Sequence, residues 1–432
     1  MEQVVFKILS GKGMQVQLPY GKEKINLEVP DKNLLDVVVP KEYIAPDHPE
    51  VIIRKAVLNP LGSERLSEIA TEGDRVAIVV DDYTRPCPTQ ELLPPVLDEL
   101  RRAGVEDSDV LIIIGAGTHK PPSFDVIINI VGDKISRNYS IISNDINSCQ
   151  YVHVGKTKMG HDVEILKEYV ESDVKVILGD IEYHYFAGYG GVRKSILPGV
   201  SSGKTVQQNH KLMFHENARA GVLKDNPIHL EMNDAMHLAG CDFALNVVLN
   251  SHRRVVGAWS GDPAAVLDAG VKLVDEMYKV KVKDKADIVV TAANGYPHDI
   301  NLYQAYKALH TVLPVIKDNG VIVLVAECSG GHGNEIYRAW MERYKTSEEI
   351  KKALMENFVM GAHKAYYHLK AIENHPVILV SNMEKEEVEK VFNLAHASDV
   401  QTALNKAFEI AGSDATVRVV PQGTSTLLEL SD

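Results

Sequence analysis

Short apolar runs rich in β-branched residues recur along the chain, each followed by a polar loop and then an amphipathic segment. Such runs are typical of strands buried on both faces, and their alternation with helices predicts mostly parallel sheets flanked by helices. The runs are 75–80, 110–114, 174–178, 243–249, 255–259, 288–291, 321–325, 377–380 and 417–420. The predicted fold class is therefore α/β.

A chain of 432 residues exceeds the usual size of a single hydrophobic core. We expect two domains, 1–280 and 281–432, with the lysine-rich run 281–285 as the linker. Alternating apolar and polar positions over 3–40 predict short antiparallel strands that lead into the first domain.

Two helices of the first domain are predicted from local signals. One covers roughly 63–71, after a Pro-Leu-Gly step. The other covers 92–103, with Pro94 and Pro95 in its first turn and Gly104 ending it.

Composition excludes several classes of function. A net charge of −13 argues against binding to nucleic acid, because such proteins carry a basic face. No apolar run reaches membrane-spanning length, and the N-terminus does not resemble a signal peptide. The four cysteines lie far apart without a C-x-x-C pair, so we expect reduced thiols and a cytoplasmic location.

Polar residues cluster where the predicted strands end, above all in 174–210. Ligands of open parallel sheets bind beyond the carboxyl ends of the strands. His119 and His184 each follow a separate strand, so they could act as opposed acid and base. His210 lies in a polar, helix-like run and is unremarkable by pattern alone. Lys194 lies among aromatic residues that would exclude water and lower its pKa.

Two glycine-rich loops nearly match a phosphate-binding loop. Gly188 to Ser195 has Arg193 in place of the required second glycine, and Gly199 to Thr205 is one residue short. These near matches suggest phosphate affinity without NTPase geometry. A nucleotide-phosphate-binding enzyme is therefore one alternative function.

Two further pairs have both an ordinary and a functional interpretation. Asp82 and Arg85 are either a surface ion pair or ligand-binding residues at a strand end. Gln304 and Lys307 share one helical face, which alone would indicate a solvated surface.

Taken together, these residues closely resemble the nickel-pincer-dependent lactate racemase family of 2-hydroxyacid racemases and epimerases. The resemblance spans nearly the whole chain, including the ten- and sixteen-residue gaps from His184 to Lys194 and from Lys194 to His210. It rests on Asp82-Tyr83-Thr84-Arg85-Pro86, Gly117-Thr118-His119-Lys120, His184 with Gly188-Tyr189-Gly190-Gly191, Lys194, His210, and Tyr303-Gln304-x-x-Lys307.

The resemblance implies a cofactor and a role for each motif. The cofactor would be a nickel pyridinium-3,5-bisthiocarboxylic acid mononucleotide, tethered by Lys194, with His210 as the protein's nickel ligand. The remaining residues implied to bind the cofactor are Asp82, Tyr83, Thr84, Arg85, His184, Gly188, Gly190 and Gly191. Those implied to bind the substrate are Arg85, Tyr303, Gln304 and Lys307.

By the same resemblance, His119 and His184 would be the catalytic acid–base pair in a racemisation that proceeds by proton-coupled hydride transfer. Domain 1–280 would bind the cofactor and catalyse the reaction, domain 281–432 would contribute substrate-binding residues, and the active site would lie in the inter-domain cleft. The partners would be a small 2-hydroxy acid and cofactor-delivery proteins. A non-catalytic carrier of the cofactor is the second alternative, and the particular hydroxy acid is left open.

Overall fold

The computed structural model describes residues 6–9 and 13–431 and divides the chain into two compact units. One unit is continuous, Glu42–Met277, and is called the N-terminal unit. The other, called the C-terminal unit, combines the described residues up to Lys41 with those from Tyr278 onward. In the described part of the chain, no helix is both long enough and apolar enough to cross a bilayer.

The secondary structure alternates as the apolar pattern predicts. The strands are β1 (Phe6–Leu9), β2 (Gly13–Tyr20), β3 (Glu23–Val29), β4 (Leu34–Val37), β5 (Val76–Asp81), β6 (Val110–Gly115), β7 (Ser140–Ser143), β8 (Tyr151–Lys156), β9 (Asp162–Leu166), β10 (Val174–Asp180), β11 (Tyr183–His184), β12 (Gly188–Tyr189), β13 (Phe243–Leu249), β14 (Val255–Gly261), β15 (Lys279–Val282), β16 (Ala286–Ala292), β17 (Ile316–Val325), β18 (Val377–Val380), β19 (Ala395–Ala397), β20 (Val417–Val420) and β21 (Leu427–Leu430). The helices are α1 (Pro49–Leu58), α2 (Leu66–Ile69), α3 (Thr89–Arg102), α4 (Phe124–Val131), α5 (Asp133–Asn138), α6 (Lys167–Val170), α7 (Gly203–Lys211), α8 (Pro227–Ala239), α9 (Pro263–Tyr278), α10 (Leu302–Ala305), α11 (Lys307–Val312), α12 (Glu335–Arg343), α13 (Ser347–Glu356), α14 (Ala362–Ile372), α15 (Lys385–Lys390) and α16 (Val400–Ala411).

The N-terminal unit is built on a six-stranded sheet in the order β14-β13-β10-β5-β6-β7. Its pairs are parallel except for the antiparallel edge pair β13–β14. From β5 the chain builds outward through β6 and β7, and it later places β10 and β13 on the opposite side of β5. The strand order therefore reverses between β5 and β10, and a crevice forms at such a point in open α/β sheets.

The C-terminal unit contains a second six-stranded sheet, in the order β19-β18-β17-β16-β20-β4, and all its pairs are parallel. Strands β1, β2 and β3 form a separate antiparallel sheet, as predicted, although residues 3–5 and 10–12 of that prediction lie outside the described residues. These observations confirm the α/β class with two mostly parallel sheets.

The N-terminal segment groups differently from the predicted 1–280 division. Strand β4 pairs in parallel with β20, and Arg418 forms a bidentate ion pair with Asp36 through 2.7 and 2.8 Å contacts. Val16, Leu18 and Leu27 pack in the same apolar core as strands β16 and β17. These long-range contacts attach the segment to the C-terminal unit.

The predicted linker 281–285 is wrong in its first part, because Lys279–Val282 is a strand paired in parallel with β21. Side chains alternate between the two faces of this strand. Val282 is buried, whereas Lys279 is half-exposed and Lys281 is exposed.

Helix predictions were correct in position but not in extent. Helix α3 begins at Thr89, so Pro94 and Pro95 lie beyond its first turn. It ends at Arg102, and Gly104 follows with a φ of +86°, which glycine adopts readily. The helix predicted over 63–71 is only the single turn Leu66–Ile69.

Candidate active site

Asp82, the first residue after β5, is buried and organises the neighbouring loop. Its Oδ1 accepts hydrogen bonds from the Thr84 backbone N–H (3.1 Å) and the Thr84 hydroxyl (2.6 Å). Its Oδ2 lies 2.6 Å from Nδ1 of His119, which follows the adjacent strand β6. Burial raises the pKa of Asp82, but the hydrogen bonds from His119 and Thr84 outweigh burial and leave the pKa lowered. Asp82 is therefore a carboxylate that orients an imidazole.

Asp82 and Arg85 do not form the surface ion pair that their spacing allowed. Arg85 instead approaches Glu182, with a 3.4 Å contact between Nη1 and Oε1. Tyr83 is half-exposed and Thr84 is exposed, so the segment Asp82–Arg85 presents polar groups beside the end of β5.

His184 belongs to a tight hairpin in which it pairs with Gly188. Its Nδ1 accepts a hydrogen bond of 3.2 Å from the backbone N–H of Ala187. The ring stacks on Tyr185 and meets Phe186 edge-on, with centroid separations of 5.0 and 4.5 Å. The hairpin therefore fixes both the plane of the ring and the nitrogen that faces the protein.

Glycine is required at two positions of the following loop. A Cβ on Gly188 would lie 2.2 Å from the Val222 carbonyl oxygen, and one on Gly191 would lie 2.6 Å from Asn246 Oδ1. Both residues have positive φ, +81° and +74°. Packing of the loop against its own unit therefore explains these two glycines.

Arg193, which interrupted the phosphate-loop pattern, is fully buried. Its guanidinium donates hydrogen bonds to four carbonyl oxygens of the hairpin and loop, those of Ala187, Tyr189, Gly190 and Gly191. Sequence reasoning treated Arg193 only as a missing glycine. Its actual role is to hold together the loop that carries Lys194 and His184.

The second near-match loop is also used internally. Ser202 caps helix α7 by accepting from the Thr205 N–H, and Lys204 contacts the carboxylates of Asp162 and Glu164 at 3.3 and 3.4 Å. A phosphate would have to displace these contacts. The predicted phosphate affinity of this loop therefore finds no support in the geometry.

Lys194 follows the glycine loop in a one-turn 3-10 helix, Val192–Ser195. Burial lowers its pKa well below the usual range, and the positive charges of Arg85 and Arg193 act in the same direction. A lowered pKa increases the fraction of neutral amine, which is the nucleophilic form.

His210 lies in helix α7 and is buried against Phe186, with the two rings edge-on at 5.1 Å. Burial and the nearby Lys194 lower its pKa to about 3. The imidazole is therefore neutral at physiological pH, which is the state that binds a metal ion.

The four residues Lys194, His119, His184 and His210 lie in one region of the N-terminal unit. Phe186 contacts the rings of both His184 and His210, and His210 is coupled electrostatically to both Lys194 and His119. The loop before His119 is joined to the loop after Lys194 by a 3.0 Å hydrogen bond from the Gly117 N–H to the Gly199 carbonyl. Four residues chosen from separate motifs are thus grouped at the carboxyl end of β5, β6 and β10.

The predicted substrate-binding residues Tyr303, Gln304 and Lys307 lie in the C-terminal unit. Asn301 caps helix α10 by accepting from the Gln304 N–H at 3.0 Å. Gln304 lies in α10 and Lys307 begins α11, so the predicted single helix is divided into two short ones.

Sequence reasoning missed an acidic group beneath the site, formed by Asp81, Asp180 and Glu182. Asp81 and Asp180 end adjacent parallel strands. Burial raises the pKa of Asp81 to about 6, and burial together with Glu182 and Asp81 raises that of Asp180 well above its usual range. The one available signal was that Asp81 and Asp180 lie one and two residues beyond the predicted strands 75–80 and 174–178.

The fold defines a two-unit α/β protein whose N-terminal unit groups histidines and a lysine at the carboxyl ends of its strands, and comparisons with known proteins specify its family. The lactate racemase N-terminal domain model matches residues 20–221, and the lactate racemase C-terminal domain model matches residues 281–428. The lactate racemase of Thermoanaerobacterium thermosaccharolyticum is 33% identical over 422 residues, and that of Lactiplantibacillus plantarum is 30% identical over 423 residues. Each alignment covers 96% of this chain and 99% of the relative.

Solved structures agree with the sequence comparisons. The lactate racemase apoprotein from T. thermosaccharolyticum superposes with a TM-score of 0.89 at 34% identity, covering 96% of this chain and 99% of that one. A Thermotoga maritima protein shares the fold at 16% identity, with a TM-score of 0.65 over 91% of this chain and all of that one. This chain belongs to the lactate racemase family, and it is a racemase, an enzyme of the isomerase class.

Proposed function

We propose that this enzyme interconverts the two enantiomers of a small 2-hydroxy acid of the lactate type, with His119 and His184 as the acid–base pair. The observation that carries the proposal is that both histidines use Nδ1 for a contact within the protein. His119 Nδ1 faces the Asp82 carboxylate, and His184 Nδ1 accepts from the Ala187 N–H. We assign the proton exchange with the substrate to Nε2 of each ring.

The Asp82 carboxylate makes His119 suited to accept the hydroxyl proton. A carboxylate on Nδ1 holds the tautomer whose Nε2 lone pair is available, and it stabilises the imidazolium formed after proton transfer. Because the Asp82 pKa is lowered, this carboxylate stays ionised at neutral pH. His184 would serve the opposite enantiomer, and the Tyr185 and Phe186 rings hold its plane.

The residues present fit the nickel-pincer nucleotide of the family. His210 is a buried neutral imidazole and would be the nickel ligand, while Lys194 is an amine with a strongly lowered pKa and would form the covalent tether. When bound, the cofactor supplies a reversible acceptor for the hydride of the substrate Cα. The residues proposed to hold its nucleotide portion are Asp82, Tyr83, Thr84, Arg85, His184, Gly188, Gly190 and Gly191.

The substrate carboxylate requires cationic or amide donors. We assign Lys307 and Gln304 to that task, with Tyr303 beside them and Arg85 as a further guanidinium contact. Fixing the carboxylate orients the Cα–H bond, and orientation of this kind supplies a large share of a catalytic rate.

The proposal is tested by incubating cofactor-loaded enzyme with single enantiomers of lactate, malate and sugar-derived hydroxy acids. Chiral chromatography should show the opposite enantiomer appearing for at least one acid, and its formation by His119→Gln or His184→Gln should be slower by about 10²-fold or more. His237→Gln is the matched control, because His237 is exposed and, within the described part of the chain, hydrogen-bonds only the Asn233 carbonyl of its own helix. The proposal is refuted if nickel-loaded enzyme converts no acid of the panel.

A further inference from the structure

A thiol lies next to the buried aspartates Asp81 and Asp180, and the proposed racemisation gives it no role. Cys87 lies in the loop after β5, and its sulfur approaches the carboxylates of Asp81 and Asp180. One oxygen from each aspartate and the Cys87 sulfur all lie within 4.8 Å of one another. We propose that Asp81, Cys87 and Asp180 bind a divalent transition-metal ion of the Zn²⁺ or Co²⁺ type. This site does not include His210, the proposed nickel ligand.

The spacing of the three ligand atoms suits such an ion. Ligands at about 2.0 to 2.3 Å from a tetrahedral Zn²⁺ lie roughly 3.3 to 3.8 Å apart. Small side-chain rotations would bring the three atoms from their present separations to these values. Two carboxylate oxygens and a thiolate form a mixed hard and soft set, which favours Zn²⁺ or Co²⁺ over Ca²⁺ or Mg²⁺.

A second observation points independently to a ligand at this position. Asp180 is only 4% exposed, yet its Oδ1 has no hydrogen-bond partner among the described residues. A buried carboxylate oxygen without a donor is unfavourable unless a proton or a cation occupies the place of the donor.

With the pair itself included, carboxylates outnumber cations around this position. Asp82 acts on Asp81 and Glu182 acts on Asp180, whereas the Arg85 guanidinium, which also contacts Glu182 at 3.4 Å, opposes both effects only in part. Burial and the two aspartates raise the pKa of the Cys87 thiol, so metal binding would release its proton.

The backbone geometry shows what the ion would stabilise. The Asp180 N–H donates to Asp81 Oδ2 at 3.2 Å, and a Cβ on Gly179 would lie 2.8 Å from that same oxygen. The glycine thus leaves room for the Asp81 carboxylate at the junction of β5 and β10. An ion there would tie these two strands to the loop that carries Asp82 and Arg85, which gives the site a structural role.

The experiment uses Co²⁺ as the probe and the full-length His210→Ala chain as the parent, so that the proposed nickel ligand is absent. Titration should produce a thiolate-to-cobalt charge-transfer absorption that saturates at one equivalent. Cys87→Ser should abolish the absorption, and Asp180→Asn should weaken the affinity about tenfold or more. Cys149→Ser is the matched control, because Cys149 is also half-buried but lies outside the cluster.

Absence of the absorption in the parent would overturn the proposal and leave a proton shared by the two aspartates as the occupant. An absorption that persists in Cys87→Ser would overturn it equally. Thermal melting with and without Co²⁺ provides a second readout, since an ion that binds only the folded state raises the melting temperature. A rise in the parent and in Asp81→Ala alike would also contradict the assignment.

Discussion

The two units share a plan, a six-stranded sheet with buried apolar strands, but His119 and the buried histidines of the C-terminal unit have different surroundings. In the N-terminal unit, His119 lies beside the Asp82 carboxylate at the ends of two adjacent strands. In the C-terminal unit, buried cationic and imidazole side chains contact aromatic rings and backbone. The Lys364 ammonium lies 4.3 Å from the Tyr306 ring centroid, and His368 lies between the Tyr337 hydroxyl (2.6 Å) and the Phe392 carbonyl (2.9 Å).

The surroundings of a histidine determine how readily it can gain a proton. When a histidine beside a carboxylate gains a proton, the carboxylate stabilises the resulting imidazolium. A histidine enclosed by aromatic rings has no such partner, so its protonation is unfavourable. Burial lowers the pKa of His310 to about 3 and that of His368 to about 4, with no carboxylate among the causes. His310 and His368 therefore lack the carboxylate partner that His119 has in Asp82.

The largest expected effect on activity distinguishes His119, which lies beside a carboxylate, from His368, which is enclosed by rings and backbone. His119→Gln should lower kcat by about 10³-fold, because general acid–base catalysis contributes roughly 10²- to 10⁴-fold. His368→Gln should leave kcat of the folded enzyme unchanged and lower the melting temperature instead, since it removes two buried hydrogen bonds. Steady-state kinetics and thermal melts of both variants test the contrast, which fails if His368→Gln loses activity at full folding.

A smaller effect is expected from Asp82→Asn, which keeps the shape but removes the charge that orients His119. We expect kcat to fall about tenfold to a hundredfold with KM little changed, because misplacement of a reacting group costs about that much. Thr84→Val, which removes only one donor to Asp82, should have a weaker effect. A change in KM alone would assign Asp82 to binding rather than to orientation.

The next prediction concerns acid stability. Because the pKa of His310 is about 3 in the folded state and about 6.5 when unfolded, the unfolded state binds more protons below pH 6.5. The free energy of unfolding should therefore fall as the pH drops from 6.5 towards 3, by about 1 kcal/mol per pH unit for this residue. Urea titrations at pH 7, 6 and 5 should show a shallower fall in His310→Gln, and an identical slope would contradict this account.

The smallest effect is expected at the surface of the N-terminal unit. Lys204 is half-exposed in its contacts with Asp162 and Glu164, and such pairs contribute about 0 to 1 kcal/mol. Lys204→Met should leave racemase activity unchanged and shift the free energy of unfolding by about 0.5 kcal/mol or less. A large loss of nucleotide or cofactor binding would restore the phosphate-loop interpretation of that segment.

Much of the fold could be predicted because burial on both faces leaves a local trace. Each central strand appears in the sequence as an apolar run, and the residue after each run marks the edge where ligands bind. His119 and Lys194 were found in this way. The resemblance to the family, rather than pattern alone, was needed for His210, because one histidine in a polar helix carries no local signal of its surroundings.

The sequence alone determined which segments become strands, the parallel character of the sheets and the motifs of the lactate racemase family. Only the tertiary structure decided that Asp82 faces His119 instead of Arg85, that Arg193 braces the glycine loop and that the described residues before Lys41 join the C-terminal unit. The physical reason is one of range. Apolar periodicity is encoded within a few residues, whereas the partner of a polar group depends on the order of strands that are far apart in the chain.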